Sequence, residues 1–145
     1  MDVDTGIDDA IAIMIALQSP EIEIVGITTV SGNVTAAAAG LNTLGILRAL
    51  GKESKIPVLQ GSSRPLSKKI VRAKDVHGEK GLGNMMLESN PSLLQKGKIS
   101  HFISGILSNY RKDEVSLIAT GPLTNIARVI LEDPGNIDPL SRICI

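Results

Sequence analysis

Apolar segments alternate with polar turns along the chain, in a rhythm typical of alternating strands and helices. The first apolar run, from Ala10 to Leu17, follows an acidic turn and predicts a short, buried helix. It should end at Ser19-Pro20, because a residue that precedes proline disfavours helical angles. The next segment, from Glu21 to Val30, is rich in β-branched residues, and its apolar second half favours a parallel strand covered on both faces.

The same alternation continues to the last residue and favours an α/β fold with a mostly parallel sheet. Residues Thr35 to Leu50 predict a second helix, since they are rich in Ala and Leu and are followed by Gly51, which can take left-handed angles. Residues Ser62 to about Pro91 contain several Gly and Pro and predict a long loop with some irregular helix. The remaining predicted elements are strands at 55–59 and 115–119, the second of them buried, helices at 99–110 and from the turn at 120–125 to Asp133-Pro134, and a strand that begins at 143–145.

Composition adds limits on size, partners and location. A chain of 145 residues with 43% hydrophobic content is sufficient for a single domain over residues 1–145. A formal charge of zero and 1% aromatic residues argue against nucleic acid as a partner. The single Cys144 excludes an internal disulfide framework. No signal peptide is recognisable, and no apolar run approaches the roughly 20 residues that span a bilayer, so we expect no membrane partner and a cytoplasmic location.

Candidate chemistry is concentrated in an acidic cluster near the start of the chain. Four carboxylates, those of Asp2, Asp4, Asp8 and Asp9, occur within the first nine residues, around a turn that contains Gly6. The apolar helix that follows should hold them at the rim of the core. Because such carboxylates repel one another, they favour a hard cation such as Ca²⁺ or Mg²⁺, or a shared proton.

Two further polar turns should lie beside this cluster. Residues 31–33 and 120–125 follow predicted strands, and in an open parallel sheet the loops beyond the carboxyl ends of the strands form the ligand site. Taken alone, each has a simpler interpretation. Asn33 is equally typical of a plain turn, and the side chain of Thr124 is more typical of a helix cap.

Spacing tests the other motifs that use aspartates. A helix–loop–helix calcium loop that began at Asp2 would require glycine at its sixth position and Glu at its twelfth, but glycine is fifth and the twelfth residue is Ile13. An aspartyl-phosphate hydrolase could use Asp2 as nucleophile and Asp4 as its partner, but that leaves the Asp8-Asp9 pair without a role. A solvated acidic segment with no function is the third interpretation.

Four segments in order along the chain resemble the inosine-uridine preferring nucleoside hydrolase family. They are DVDTGIDDA, TTVSGNV, VHGEKGLG and ATGPLTNIA. The resemblance implies a Rossmann-like open, mostly parallel sheet flanked by helices, a bound Ca²⁺, and hydrolysis of ribonucleosides to free nucleobase and ribose, as in purine or pyrimidine nucleoside catabolism. It also implies a homo-oligomer, either a dimer or a tetramer.

The resemblance further implies a role for individual residues. Asp4 would be a metal ligand and the general base for the attacking water, with Asp9 and the main-chain carbonyl of Thr120 as further ligands. Asp8, as a buried carboxylate, and Asn33 would bind ribose hydroxyls. His77 would lie near the nucleobase, where a side chain that titrates near neutrality can bind substrate or donate a proton, and Asp2 would support the cluster from behind.

The ends of the chain differ from the family pattern. Family members begin with an apolar strand before the first aspartate, and their other ribose-binding residues, the leaving-group histidine and a fourth metal ligand would lie beyond Ile145. We therefore expect a partial domain, truncated at both ends, whose sheet lacks its first strand. An alternative function follows, that of a truncated, non-catalytic relative that binds a metal or sugar or serves as an interaction subunit.

Overall fold

A computed structural model describes residues 1–67, 69–70 and 72–145. Strands and helices alternate through most of the chain, as the sequence predicts. The strands are β1 (Asp2–Val3), β2 (Ile27–Thr29), β3 (Val58–Gln60), β4 (Leu94–Lys96), β5 (Val115–Ile118) and β6 (Leu140–Cys144). The helices are α1 (Ile7–Gln18), α2 (Ala36–Ala49), α3 (Lys74–His77), α4 (Ile99–Leu107) and α5 (Thr124–Glu132), with 3₁₀ turns at Pro91–Leu93 and Pro134–Asn136.

The strands of the described chain pair in parallel throughout, which confirms the expected open α/β sheet. Strands β1 to β4 are neighbours in sequence order, and β5 pairs with β6. A parallel bridge between Asp2 and Ala119 joins the two groups. The strand order therefore reverses between β1 and β5, and ligands of open α/β sheets bind at such a reversal.

Helices cover both faces of the sheet, because successive residues of a strand point to opposite faces. Ile27 of β2 packs into a core cluster with Leu44 and Leu47 of α2 and with Ile13 of α1. Its neighbour Thr28 faces α4 on the other side, where Phe102 helps to line a small apolar cavity. Two helical layers therefore enclose the centre of the sheet and leave its carboxyl edge for the polar turns.

The expectation that the sheet lacks its first strand is wrong. Asp2 and Val3 form a two-residue strand that pairs with Thr28 and Thr29. Hydrogen bonds from both sides hold it, since the N–H of Val30 donates to the carbonyl of Val3 at 2.9 Å and the N–H of Thr120 to that of Asp2 at 3.0 Å. Two neighbouring strands thus compensate for the shortness of β1.

Helix α1 ends where predicted, but it is not buried. Its inner face consists of Asp9, Ala10, Ile13 and Ala16, whereas the outward-facing Ile11, Met14 and Ile15 are 40% to 61% exposed. The residues of α1 are apolar on both faces, so their pattern does not show which face packs against α2. None of the helices in the described ranges is long and apolar enough to cross a bilayer.

Several other elements differ from their predicted extent. Strand β2 takes up only the end of the segment from Glu21 to Val30, and in β5 Leu117 is buried while Ile118 is 36% exposed. The sequence does not predict strand β4, because its three residues, Leu94 to Lys96, show little of the pattern typical of a strand. The long loop contains the predicted irregular helix, as α3, and its residues 68 and 71 lie outside the described ranges.

Candidate active site

The acidic turn is folded tightly between β1 and α1. The carboxylate of Asp9 reaches back from the helix to the turn, where its Oδ2 accepts a hydrogen bond from the N–H of Asp4 at 3.0 Å. Thr5 has a φ of +32°, a left-handed conformation that is costly for a β-branched residue. A hydrogen bond of 2.8 Å between the hydroxyls of Thr5 and Thr43 of α2 holds this residue in place.

Asp4 and Asp9 place two carboxylates side by side with little exposure to solvent. Asp4 is 6% exposed and Asp9 is 2% exposed. Burial raises the pKa of Asp4 to about 6, and the charge and hydrogen bonding of the neighbouring Asp9 act in the same direction. The N–H of Asn33, which donates to Oδ2 of Asp4 at 2.6 Å, opposes this shift. A pair of this kind favours a bound cation, because the cation relieves the repulsion between them.

The turn after β5 brings Thr120 to the same pair. Its hydroxyl donates to Oδ1 of Asp9 at 2.5 Å. Its carbonyl oxygen accepts no main-chain hydrogen bond from the part of the chain that the structure describes, so the oxygen is available to a ligand. The family resemblance implies that this carbonyl is a metal ligand, and the structure adds the hydroxyl as a contact to Asp9.

The donor set formed by these residues fits a hard cation. It consists of oxygen atoms alone, from the carboxylates of Asp4 and Asp9 and from the carbonyl of Thr120, and calcium prefers such ligands. Calcium takes six to eight oxygens, so water and hydroxyl groups of a substrate would have to complete its shell. Within the described ranges, no three His, Cys, Asp or Glu side chains form a ligand group.

Three polar side chains converge above Gly6, at the start of α1. A Cβ atom on Gly6 would lie 2.7 Å from each of Nδ2 of Asn33, Oδ1 of Asp8 and Nδ1 of His77. The structure therefore brings together the three residues expected to bind substrate, although they are far apart in sequence. The expectation that Asp8 is buried is wrong, since its side chain is 73% exposed at the first turn of α1.

His77 lies on α3 and is buried, with 8% of its surface exposed. The N–H of Ile7 donates to its Nδ1 at 3.2 Å. In a neutral imidazole that accepts at Nδ1, the proton is on Nε2, which can then donate. Oδ1 of Asp8 lies 3.8 Å from Nδ1, beyond hydrogen-bond distance.

Asp2 lies behind the pair of Asp4 and Asp9 and has no exposed surface. Its Oδ1 accepts hydrogen bonds from the hydroxyl of Thr28 at 2.5 Å and from Nδ2 of Asn125 at 2.7 Å. Burial raises the pKa of Asp2, and these two bonds oppose the rise. A carboxylate without exposed surface cannot act as a nucleophile toward a substrate, which argues against the aspartyl-phosphate interpretation.

Substitution of Gly6 tests the convergence of the polar side chains. We expect Gly6→Ala to fold but to lose about tenfold or more in affinity for a ligand that contacts Asp8, Asn33 or His77, because the methyl group fills the space between them. Gly105→Ala in α4 is the matched control, since a Cβ there meets no atom within 4 Å. Ligand titration of both variants measures the effect, and equal affinities would contradict the geometry.

A doubly wound parallel sheet, with a cluster of carboxylates where its strand order reverses, defines a Rossmann-like α/β protein with a polar ligand site. Comparison with known sequences identifies the family within this class. The sequence pattern of the inosine-uridine preferring nucleoside hydrolases matches residues 1–145, and the chain belongs to this family.

Individual relatives support the assignment. The chain is 39% identical over 146 residues to uridine nucleosidase 1 of Arabidopsis thaliana, a match that covers 100% of the chain and 43% of the relative. It is 37% identical over 145 residues to the pyrimidine-specific ribonucleoside hydrolase RihA of Salmonella arizonae, again over 100% of the chain and 46% of the relative. The chain therefore spans less than half the length of these curated relatives.

Solved structures show the same fold. A purine-preferring ribonucleoside hydrolase from Gardnerella vaginalis matches with a TM-score of 0.88 and 32% identity, over 98% of this chain and 46% of its own. The plant nucleoside hydrolase PpNRh1 matches with a TM-score of 0.85 and 34% identity, over 98% of this chain and 45% of its own. These likenesses confirm the fold class expected from the sequence.

Proposed function

We propose that the protein to which this chain belongs hydrolyses the N-glycosidic bond of ribonucleosides and releases free nucleobase and ribose. Family membership and the names of the relatives support this activity. The observation that carries the proposal is the juxtaposition of two buried carboxylates, Asp4 and Asp9, with the three polar side chains that converge above Gly6. The first group suits activation of water, and the second suits binding of a polar sugar and base.

Asp4 and Asp9, with the carbonyl of Thr120, would hold a Ca²⁺. When bound, the ion would supply a Lewis acid that lowers the pKa of water at the site. Asp4 would accept a proton from the attacking water, in the role of general base. The negative charge of these aspartates would also stabilise the positive charge that a ribosyl group develops as its bond to the base breaks.

Asp8 and Asn33 would hydrogen-bond the ribose hydroxyls and so fix the sugar above the attacking water. The amide of Asn33 and the carboxylate of Asp8 are close enough for a single sugar to contact both. Holding the reactants in one geometry supplies much of the rate gain in such reactions. His77, with its proton on Nε2, would lie beside the nucleobase and donate a hydrogen bond to it.

The test uses the natural polypeptide that carries this sequence, whose intact mass should be measured first. We expect it to hydrolyse inosine or uridine, to lose activity on treatment with a chelator and to regain it with Ca²⁺. Absence of hydrolysis with every common ribonucleoside would contradict the proposed reaction and favour the binding or interaction subunit. Hydrolysis that persists in the chelator would contradict the metal assignment alone.

Deoxyribonucleosides should be poor substrates, since a missing hydroxyl leaves a ribose-binding group without its partner. We expect kcat/KM for deoxyinosine to be at least about a hundredfold lower than for inosine. Steady-state assays of the two compounds, with Asp8→Ala as a second enzyme, measure the difference. Comparable values for the two substrates in the unmodified protein would contradict the role of Asp8.

Assembly as a dimer or tetramer stays a prediction of the family resemblance, and a cytoplasmic location stays a prediction of the sequence pattern. The apolar residues Ile11, Met14 and Met85, which line one groove beside α1, are consistent with a surface that another subunit covers. Sedimentation of the natural polypeptide measures the oligomeric state.

A further inference from the structure

We infer that Asn125 is a positioning residue of the candidate site, one that fixes the turns carrying the metal and ribose ligands. Its position in the sequence indicates no role. The structure places it in the first turn of α5 with 0% of its surface exposed. This inference rests on the proposed function, which supplies the roles of the residues that Asn125 would position.

The carboxamide of Asn125 connects three strand ends to its own helix. Its Nδ2 donates to Oδ1 of Asp2 at 2.7 Å and to the main-chain carbonyl of Thr29 at 3.1 Å. Its Oδ1 accepts from the N–H of Ser62 at 2.8 Å. Position 125 therefore requires a side chain with two N–H or O–H donors and one accepting oxygen. Among small side chains, only a carboxamide offers this combination.

Each of these bonds leads to a turn of the candidate site. Asp2 precedes the acidic turn, and its carbonyl also accepts from the N–H groups of Thr120 at 3.0 Å and Gly121 at 3.3 Å. Thr29 is the last residue of β2, before the loop that carries Asn33. Ser62 connects Asn125 to the same loop, since the carbonyl of Ser62 accepts from the N–H of Ser31 at 2.9 Å.

Gly61 packs closely against the carboxamide of Asn125. A Cβ atom on Gly61 would lie 2.6 Å from both Nδ2 and Oδ1 of Asn125 and 2.5 Å from the carbonyl of Thr29. Asn125 is also not acting as an ordinary helix cap, because its side chain bonds to three other segments rather than to the free N–H groups of α5. Its contacts are therefore those of a connector between the turns.

The test compares Asn125→Ala with Val129→Ala in the natural polypeptide. Val129 is 1% exposed, lies one turn further along α5 and packs against α4, so its truncation loosens the same helix without touching the site. At a temperature where both variants are folded, we expect Asn125→Ala to lower kcat about tenfold to a hundredfold and to weaken Ca²⁺ binding. Val129→Ala should match the unmodified protein in both measurements.

Equal losses in the two variants would overturn the inference, as would unchanged kcat and Ca²⁺ affinity in Asn125→Ala. If Asn125→Ala fails to fold, Thr28 offers a second comparison, because its hydroxyl donates to the same oxygen of Asp2. Thr28→Val should then lower kcat and Ca²⁺ affinity while Thr28→Ser retains them, and equal values for these two would count against the inference.

Failure of the proposed function gives a different result. In that case the unmodified protein neither hydrolyses ribonucleosides nor binds Ca²⁺. The positioning role is then measured by amide hydrogen exchange at Ser62 and Ser31, which the structure links to Asn125. Faster exchange in Asn125→Ala than in Val129→Ala supports the connection between the turns, and equal exchange overturns it.

Discussion

Replacement of Asp4 by Asn should reduce ribonucleoside hydrolysis by about a thousandfold or more, since the variant loses both a general base and a charged metal ligand. The shape of the side chain is kept, and the oxygen that accepts from the N–H of Asn33 can be retained. Asp9→Asn should mainly weaken Ca²⁺ binding, because the variant loses the charge of a proposed metal ligand. The N–H of Asp4 and the hydroxyl of Thr120 hold that ligand against the turn. Kinetics across a calcium titration measure both effects.

The matched control for these two variants is Asp138→Asn, the same chemical change at an exposed aspartate before β6. It should leave the kinetics and the calcium titration unchanged. Retention of most activity by Asp4→Asn or by Asp9→Asn at all calcium concentrations would show that the pair does not bind the ion.

A second large effect is expected from Gly32→Ala, which alters no polar group. A Cβ atom on Gly32 would lie 2.0 Å from Oδ2 of Asp4, which is less than any carbon and oxygen can approach without a bond. The carboxylate would therefore have to rotate away from the N–H of Asn33 that holds it. We expect kcat to fall about a hundredfold, since small displacements of reacting groups have effects of this size.

Gly105→Ala again serves as the control for Gly32→Ala. The methyl group at residue 105 meets no atom within 4 Å, and alanine is the better helix former by about 1 kcal/mol, so this variant should be slightly stabilised and fully active. Thermal unfolding separates loss of fold from displacement of Asp4. A Gly32→Ala protein with unchanged kcat would mean that the carboxylate of Asp4 does not occupy the position described here.

Features that depend on neighbouring residues could be predicted from the sequence. Helix α2 begins at an N-cap, Thr35, whose hydroxyl accepts from the N–H of Ala38 at 3.1 Å, and ends before Gly51, which has a φ of +67°. The end of α1 at Ser19-Pro20 follows from the geometry of proline. The α/β alternation is the sum of such short-range preferences.

Features that depend on distant partners could not be predicted. The two residues of β1 form a strand only because β2 and the bridge to Ala119 lie on either side. The exposure of Ile118 and of the outer face of α1 depends on which surfaces other elements cover. Composition does not contain that information, since a strand or helix that is apolar on both faces can be buried on either one.

The candidate site divides in the same way. The aspartates lie in one short motif, and their clustering could be predicted from spacing alone. The burial of His77 depends on a contact with Ile7 across 70 residues, and the role of Asn125 on a contact with Asp2 across 123 residues. Only the family resemblance connected His77 with the site, and nothing in the pattern marked Asn125 as more than part of a turn.

The position of β1 in the centre of the sheet also determines when the protein can fold during synthesis. Asp2 is synthesised well before its bridge partner, Ala119, and its side-chain partner, Asn125, which lies 123 residues further along the chain. At roughly 5 to 20 residues per second, the ribosome needs on the order of ten seconds to add them. The carboxylates of Asp2 and Asp9 therefore lack Asn125 and Thr120 as partners on the nascent chain, and they become enclosed only after β5 and α5 have emerged.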